Sequence, residues 1–305
     1  MTEFSLYNGV KMPAIGIGPA GLPCYKPVAQ RIALVPSLVG RVWDKFVGRN
    51  LAKQDYTKAI ANAVRVGFRL VDFAAAYGDA GLIRDAIEMS GVSCSDVLLT
   101  GRISNNAQFE GVGAVRNQID RLLFEYQTNR LDLLMFHWPV TGCFERTWKV
   151  ICEAYDSGKA RSIGVANCHS HHLEAIMKTG MKPMFNQIEV HPLFTQKSLI
   201  EYCKEREILV ESYTPIARMD SRLMSRASLV EIANAHNKTP VQIVLRWHVQ
   251  NGCLPIVRSL NSSRQRENIS IFDFELSHDE MQTIDGFNIN SRLRYDPDNC
   301  DFTML

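Results

Sequence analysis

The 305-residue chain is 46% hydrophobic and 22% charged, the proportions of an average globular protein, which excludes disordered and fibrous classes. A formal net charge of +2 leaves no concentrated basic footprint for nucleic acid, and no stretch approaches the roughly 18 apolar residues of a membrane span. The eight cysteines are scattered, with no C-x-x-C pair and no close histidine set for zinc, and read as free thiols in a reducing compartment.

The opening MTEFSLYNGVKMPAIGIG has an acid at its third position and no apolar core, so it is not a secretory signal and a cytoplasmic location is expected. Within it, Asn8-Gly9 lies between short strand-like runs and predicts a hairpin. Eight short apolar runs bounded by turn residues cover 14–18, 69–72, 97–100, 131–137, 162–165, 184–189, 209–213 and 254–258. Helix-period segments lie between them, among them 111–124, 144–157, 196–207 and 240–250. Pro240 after Thr239 marks a helix start, because proline at the first helical position loses no hydrogen bond and threonine can cap. This alternation points to a closed (β/α)8 TIM barrel with an N-terminal β-hairpin, although counting alone leaves an open doubly wound sheet as the alternative. One domain over 1–305 is expected, because no repeat, low-complexity tract or linker divides the chain.

One interval departs from the pattern. A long insertion after the first barrel strand, about residues 19–54, far exceeds the usual βα loops of about 2–6 residues. Within it Leu38, Val39, Val42, Trp43, Phe46 and Val47 fall at helical spacing, with Arg41, Asp44, Lys45 and Arg49 between them. A short amphipathic helix is predicted there, either packing on the barrel rim or serving as a substrate lid or subunit contact.

Residues 67–80, GFRLVDFAAAYGDA, resemble the second-strand motif of the aldo-keto reductase family, and LDLLMFHWP at 131–139 resembles its fourth. RSIGVANC, MFNQIEVHP, VESYTPI and PIVRSLNSSRQREN are similar to the fifth to eighth strand motifs, in order, so the resemblance spans about residues 4–288. Only the insertion and the tail of about 289–305 fall outside it. The resemblance implies an NADP(H)-dependent oxidoreductase that reduces an aldehyde or ketone to an alcohol, acting on a small-molecule carbonyl with no nucleic acid or membrane partner, as a monomer or weak homo-oligomer.

The catalytic residues it implies are Asp72, Tyr77 and His137, which all follow or close a predicted strand, where a barrel's reactive groups sit. Reducing a carbonyl needs a hydride on carbon and a proton on oxygen, and the cofactor supplies only the hydride. Tyr77 supplies the proton if positive charge lowers its phenol from the usual pKa near 10. His137 then holds and polarises the carbonyl oxygen. In the family that positive charge is a lysine paired with the aspartate. Here VLLTGRIS puts Arg102 in its place, a planar fork rather than a compact ammonium. Phe73 for threonine, Ala80 for an acid and Cys168 for an aromatic are further departures. Arg102 keeps an alternative reading open, a catalytically weak NADP(H)-binding sensor or scaffold.

For the cofactor, the resemblance places Ser162, Asn167, Gln187 and Glu189 around the carboxamide, with Tyr213 stacked on the nicotinamide ring. Arg258, Ser259, Asn261, Arg264, Glu267 and Asn268 match the adenosine-phosphate motif, again with arginine (Arg258) for lysine. Two arginines suit a 2′-phosphate, favouring NADP(H) over NAD(H). Trp138 is expected to line the substrate pocket with the tail around Arg292, Arg294 and Tyr295. The clustered His169, His171 and His172 follow Asn167 at a loop-to-helix junction, and no metal site is expected there.

Overall fold

Asn8 and Gly9 close the first unit of the chain. Gly9 takes φ +85°, a left-handed conformation open to glycine, and the Asn8 side chain accepts from the Val10 N–H at 3.2 Å. Strands β1 (Glu3–Ser5) and β2 (Lys11–Pro13) therefore pair antiparallel, with Phe4 opposite Met12. The hairpin caps one end of the molecule, where the Tyr7 hydroxyl donates to the Lys182 carbonyl at 2.6 Å and the Asn8 amide to the Arg161 carbonyl at 3.0 Å.

The structure is a computed structural model describing residues 3–18, 49–73 and 80–304. Each of the eight predicted runs overlaps a strand: β3 (Gly16–Ile17), β4 (Leu70–Val71), β5 (Leu98–Ile103), β6 (Leu131–Phe136), β7 (Ala160–Ala166), β8 (Phe185–Glu189), β9 (Leu209–Tyr213) and β10 (Cys253–Val257). They pair in parallel and in chain order, and β10 returns to β3 through Ile256 opposite Gly16 and Val257 opposite Ile17. That last pairing closes the barrel and removes the open-sheet alternative. No helix among the described residues is long and apolar enough to cross a membrane.

Helix Pro240–Gln250 starts as its sequence predicts: the Thr239 hydroxyl accepts from the Gln242 N–H, and the Gln242 side chain accepts from the Thr239 N–H. Two boundaries differ from expectation. The first helix of the barrel begins at Arg49, inside the interval assigned to the insertion. The helix expected at 38–47 lies outside the described residues. β5 runs to Ile103 rather than ending at residue 100, because Arg102 and Ile103 stay in register with Met135 and Phe136 of β6. Gly101 permits this, since a Cβ there would stand 2.6 Å from Leu131 Cδ1 on the neighbouring strand.

The tail is tied down by one carboxylate. Glu189, the last residue of β8, accepts from the backbone N–H groups of Leu293 (2.6 Å) and Arg294 (2.9 Å) and pairs with His191 at 3.0 Å. Burial alone would raise its pKa, but these hydrogen bonds outweigh burial and hold it below the usual carboxylate range. The chain after the last helix is thereby brought to the barrel's C-terminal mouth.

Packing between strands is tight enough to test. A Cβ on Gly164 of β7 would meet the ring of Phe185 at 2.5 Å, and that ring is fully buried. Gly164→Ala is expected to cost about 1–3 kcal/mol by overpacking, read from chemical denaturation. An unchanged midpoint would mean that the β7–β8 contact relaxes freely.

Candidate active site

A cleft of about 630 Å³ opens at the C-terminal ends of the strands, lined by Asp72, Arg102, His137, Trp138, Asn167, Gln187, Tyr213 and Arg258 among others. Asp72 follows β4, Arg102 is the penultimate residue of β5, and His137 follows β6. Residues far apart in sequence are thus delivered to one mouth by the barrel's parallel strands. Tyr77 lies outside the described residues.

The floor of the cleft is a chain of buried polar groups. Arg102 Nη2 donates to Asp72 Oδ1 at 2.6 Å and to Gln187 Oε1 at 2.7 Å, with the Arg102 and Asp72 side chains only 4% and 7% exposed. Gln187 Nε2 in turn donates to Glu211 Oε2 at 2.9 Å. Burial, reinforced by the charge of Asp72, pushes the Glu211 carboxyl up to about 8, against the opposing effects of Gln187 and Arg102. Glu211 therefore keeps its proton at neutral pH, so the buried chain holds one cation and one anion rather than a surplus negative charge.

His137 faces the same cleft. Burial, then the positive charges of Arg102 and Arg294, hold its pKa well below the ordinary histidine value, so the ring is neutral. Asn167 sits at φ +59°, a left-handed conformation that asparagine tolerates better than most residues. Its amide donates to the His137 carbonyl at 2.9 Å, and its side-chain oxygen accepts from the Tyr213 hydroxyl at 2.7 Å. Trp138 is buried beside them, and its indole N–H has no hydrogen-bond partner among the described residues.

Other expected residues fall in different places. Ser162 is near the start of β7, where its hydroxyl accepts from the hairpin residue Asn8 at 3.3 Å. Three strand residues lie between it and Ala166 at the cleft end, four steps or roughly 13 Å at 3.3 Å per residue, so β7 does not bring it to the cleft. Glu189 holds the tail. Arg294 lines the cleft, whereas Arg292 stacks on Phe194 with its guanidinium 4.6 Å from the ring centre, and Tyr295 is exposed.

Arg258 follows β10, and Arg264 lies in the first turn of helix Ser262–Ile269, which Asn261 caps by accepting from the Arg264 N–H at 3.0 Å. Both arginines are exposed, and neither forms an ion pair among the described residues. Glu267 accepts from the Thr239 hydroxyl at 2.7 Å, and Asn268 is buried in the same helix.

The chain matches the model of the Aldo/keto reductase family over residues 40–289. It belongs to the aldo-keto reductase family. It is 36% identical over 305 residues to the uncharacterized oxidoreductase YtbE of Bacillus subtilis, covering 98% of this chain and 97% of that protein. It is 37% identical over 300 residues to the glyoxal reductase of the same organism, covering 97% and 96%. A crystal structure of a Gox0644 variant in complex with NADPH superposes with a TM-score of 0.83 at 31% identity, covering 98% of each chain.

Within this aldo-keto reductase, two features of the cleft escape a reading of the sequence. Glu211 sits in the VESYTPI run but looks like any strand residue until the closed barrel buries it under Gln187. The loop after β9 forms one wall of the cleft with Thr214, Ala217, Arg218 and Met219 all at positive φ, and no glycine announces that turn.

Glu211 yields a sign that can be checked. Its folded pKa of about 8 lies above the ordinary 4.5, so its contribution to stability is complete below 4.5 and is lost as pH rises to about 8. Glu211→Gln keeps the acceptor for Gln187 and removes the ionisation. Its melting temperature should rise relative to the unmodified protein between pH 5 and pH 8. A constant difference across that range would show that Glu211 does not hold a proton in the folded state.

Proposed function

We propose that this chain is an NADPH-dependent reductase of aldehydes and ketones in which Tyr77 gives the proton to the carbonyl oxygen. The observation that carries the reading is the buried Asp72–Arg102 pair, opening beside a neutral His137 into a cleft of suitable size. A glyoxal reductase and a methylglyoxal reductase among the relatives, with the NADPH complex of a structural neighbour, support the same chemistry.

The residues present fit the cofactor. Two exposed arginines, without an ion pair among the described residues, flank the N-terminal end of a helix, where backbone N–H groups and positive guanidinium forks suit a phosphate dianion. Arg258, Ser259, Asn261, Arg264, Glu267 and Asn268 would hold the adenosine-phosphate end, and Asn167, Gln187 and Tyr213 the nicotinamide end. Both ends of the Gln187 amide are already engaged, by Arg102 and Glu211. Gln187 can still use the second lone pair of its oxygen or the second hydrogen of its nitrogen. When bound, the reduced nicotinamide supplies the hydride.

The chain's own residues do the rest. Neutral His137 donates one N–H to the carbonyl oxygen without competing as an acid. Asp72 anchors Arg102, whose positive charge lowers the Tyr77 phenol and favours release of its proton. Trp138 walls off water and offers its indole N–H, unpartnered among the described residues, to a polar group on the substrate. The fixed engagement of Arg102 with Asp72 and Gln187 is the observation that favours the second reading, a cofactor-binding protein of low turnover, because a guanidinium already committed twice is a weaker point charge toward a phenol.

Cofactor titration and a carbonyl panel test these readings. NADPH is expected to bind much more tightly than NADH, and Arg264→Ala should weaken NADPH by about ten- to a hundredfold, the loss of a charge-assisted phosphate contact. Equal affinity for both cofactors in the unmodified protein would overturn the NADP(H) preference. Tyr77→Phe should abolish most NADPH oxidation against aldehydes and ketones, while Arg102→Lys should shift its pH profile. Tight NADPH binding with no turnover by either the unmodified protein or Arg102→Lys, across aldehydes, ketones and quinones, would leave the low-turnover reading standing.

A further inference from the structure

Folding gives His169, His171 and His172 a shared acidic neighbour. The tail brings Asp298, 129 residues further along than His169, against all three rings. Its Oδ2 lies 2.8 Å from His169 Nδ1, and its Oδ1 lies 3.2 Å from His171 Nε2 and 3.5 Å from His172 Nε2. One donor atom from each of the four residues falls within 4.8 Å of every other.

The three rings are not equivalent. The His169 backbone N–H donates to His172 Nδ1 at 3.2 Å, so the lone pair of His172 is on Nδ1 and the proton of the neutral ring is on Nε2, facing Asp298. His172 Nε2 therefore faces the carboxylate, 3.5 Å from Asp298 Oδ1. His169 through Nδ1, His171 through Nε2 and Asp298 through an oxygen are left as ligands. The His171 side chain is 59% exposed and that of Asp298 is 38% exposed, which leaves a fourth position open to water.

We propose that His169, His171 and Asp298 bind one divalent transition-metal ion of the zinc class, that His172 is the outer hydrogen-bond donor on the carboxylate, and that the ion fastens the C-terminal tail to the first turn of the helix Ser170–Met177. Neutral imidazole and carboxylate are ligands zinc takes in three-ligand open sites, and a ligating carboxylate is ordinarily hydrogen-bonded from outside. Bond lengths of about 2.0–2.2 Å set donor separations of roughly 3.3 Å; the Asp298 oxygens already lie 2.8 Å from His169 Nδ1 and 3.2 Å from His171 Nε2, so the adjustment falls mainly on the exposed His171 ring. Asp296, close enough to act on His172, adds negative charge. Arg292 opposes the ion, with Nη2 3.4 Å from His169 Nε2. Metal on Nδ1 puts the ring proton on Nε2 and displaces that contact, leaving Arg292 stacked on Phe194. The inference does not rest on the reductase reading, although Arg294, four residues before Asp298, reaches the cleft.

The test is calorimetric titration of tag-free, chelator-treated full-length protein with Zn(II). One equivalent should bind with a dissociation constant of about micromolar or tighter, and Co(II) should give the visible bands of a four-coordinate site. Asp298→Asn and His171→Gln should each weaken Zn(II) by at least about tenfold, while His278→Gln, outside the cluster, should leave it unchanged. NADPH titration of the same samples reports the cofactor site separately. His171 is exposed, so His171→Gln keeps the fold and decides the matter if Asp298→Asn disturbs the tail. Absence of a stoichiometric site, or full Zn(II) affinity in His171→Gln, would overturn the proposal.

Discussion

A guanidinium buried at the mouth of a barrel is tolerable only if its charge is met on the spot, and much of the cleft is organised by that demand. Stripping Arg102 of water would cost several kcal/mol if it stood alone. Asp72 supplies the counter-charge, Gln187 a second acceptor, and a protonated Glu211 completes the chain without adding a second anion. These four side chains come from β8, β9, β5 and the residue after β4. The polar chain therefore crosses the barrel interior and ties together strands that are not neighbours. Removing Asp72 would leave an uncompensated buried cation, so a mutation there acts on fold and chemistry together.

The same charges set the state of His137. Positive charge from Arg102 and Arg294 adds to burial in keeping the ring unprotonated, which leaves Arg102 as the cation nearest the floor of the cleft. One side chain thus anchors the buried chain, helps to set a neighbouring pKa and occupies the place of the family's lysine. Arginine suits the first two tasks because its fork holds a fixed geometry. That fixity also limits how its charge can be aimed.

The architecture was legible in the sequence because barrel strands buried on both faces read as continuous apolar runs, and each run overlapped one strand. Boundaries were less legible. Gly101 looked like the end of β5, yet it is the small residue that allows the strand to continue past Leu131 and present Arg102 inward. Residues carried over by motif mostly arrived at the cleft because strand ends deliver them there. Ser162 did not, since its distance along β7 puts it at the hairpin end. Glu211, the strained loop after β9 and Asp298 beside the histidines could not be read, because each depends on contacts between distant segments that carry no local pattern.

Glu189 grips the tail by two consecutive backbone N–H groups rather than by the side chains of Leu293 and Arg294. An anchor of this kind is blind to the identity of what it holds, apart from proline, which has no N–H to give. The wall of the cleft that the tail provides is therefore free to change composition while its attachment stays the same. Selection, or an engineer, can exchange that wall as a cassette without rebuilding the barrel that carries it.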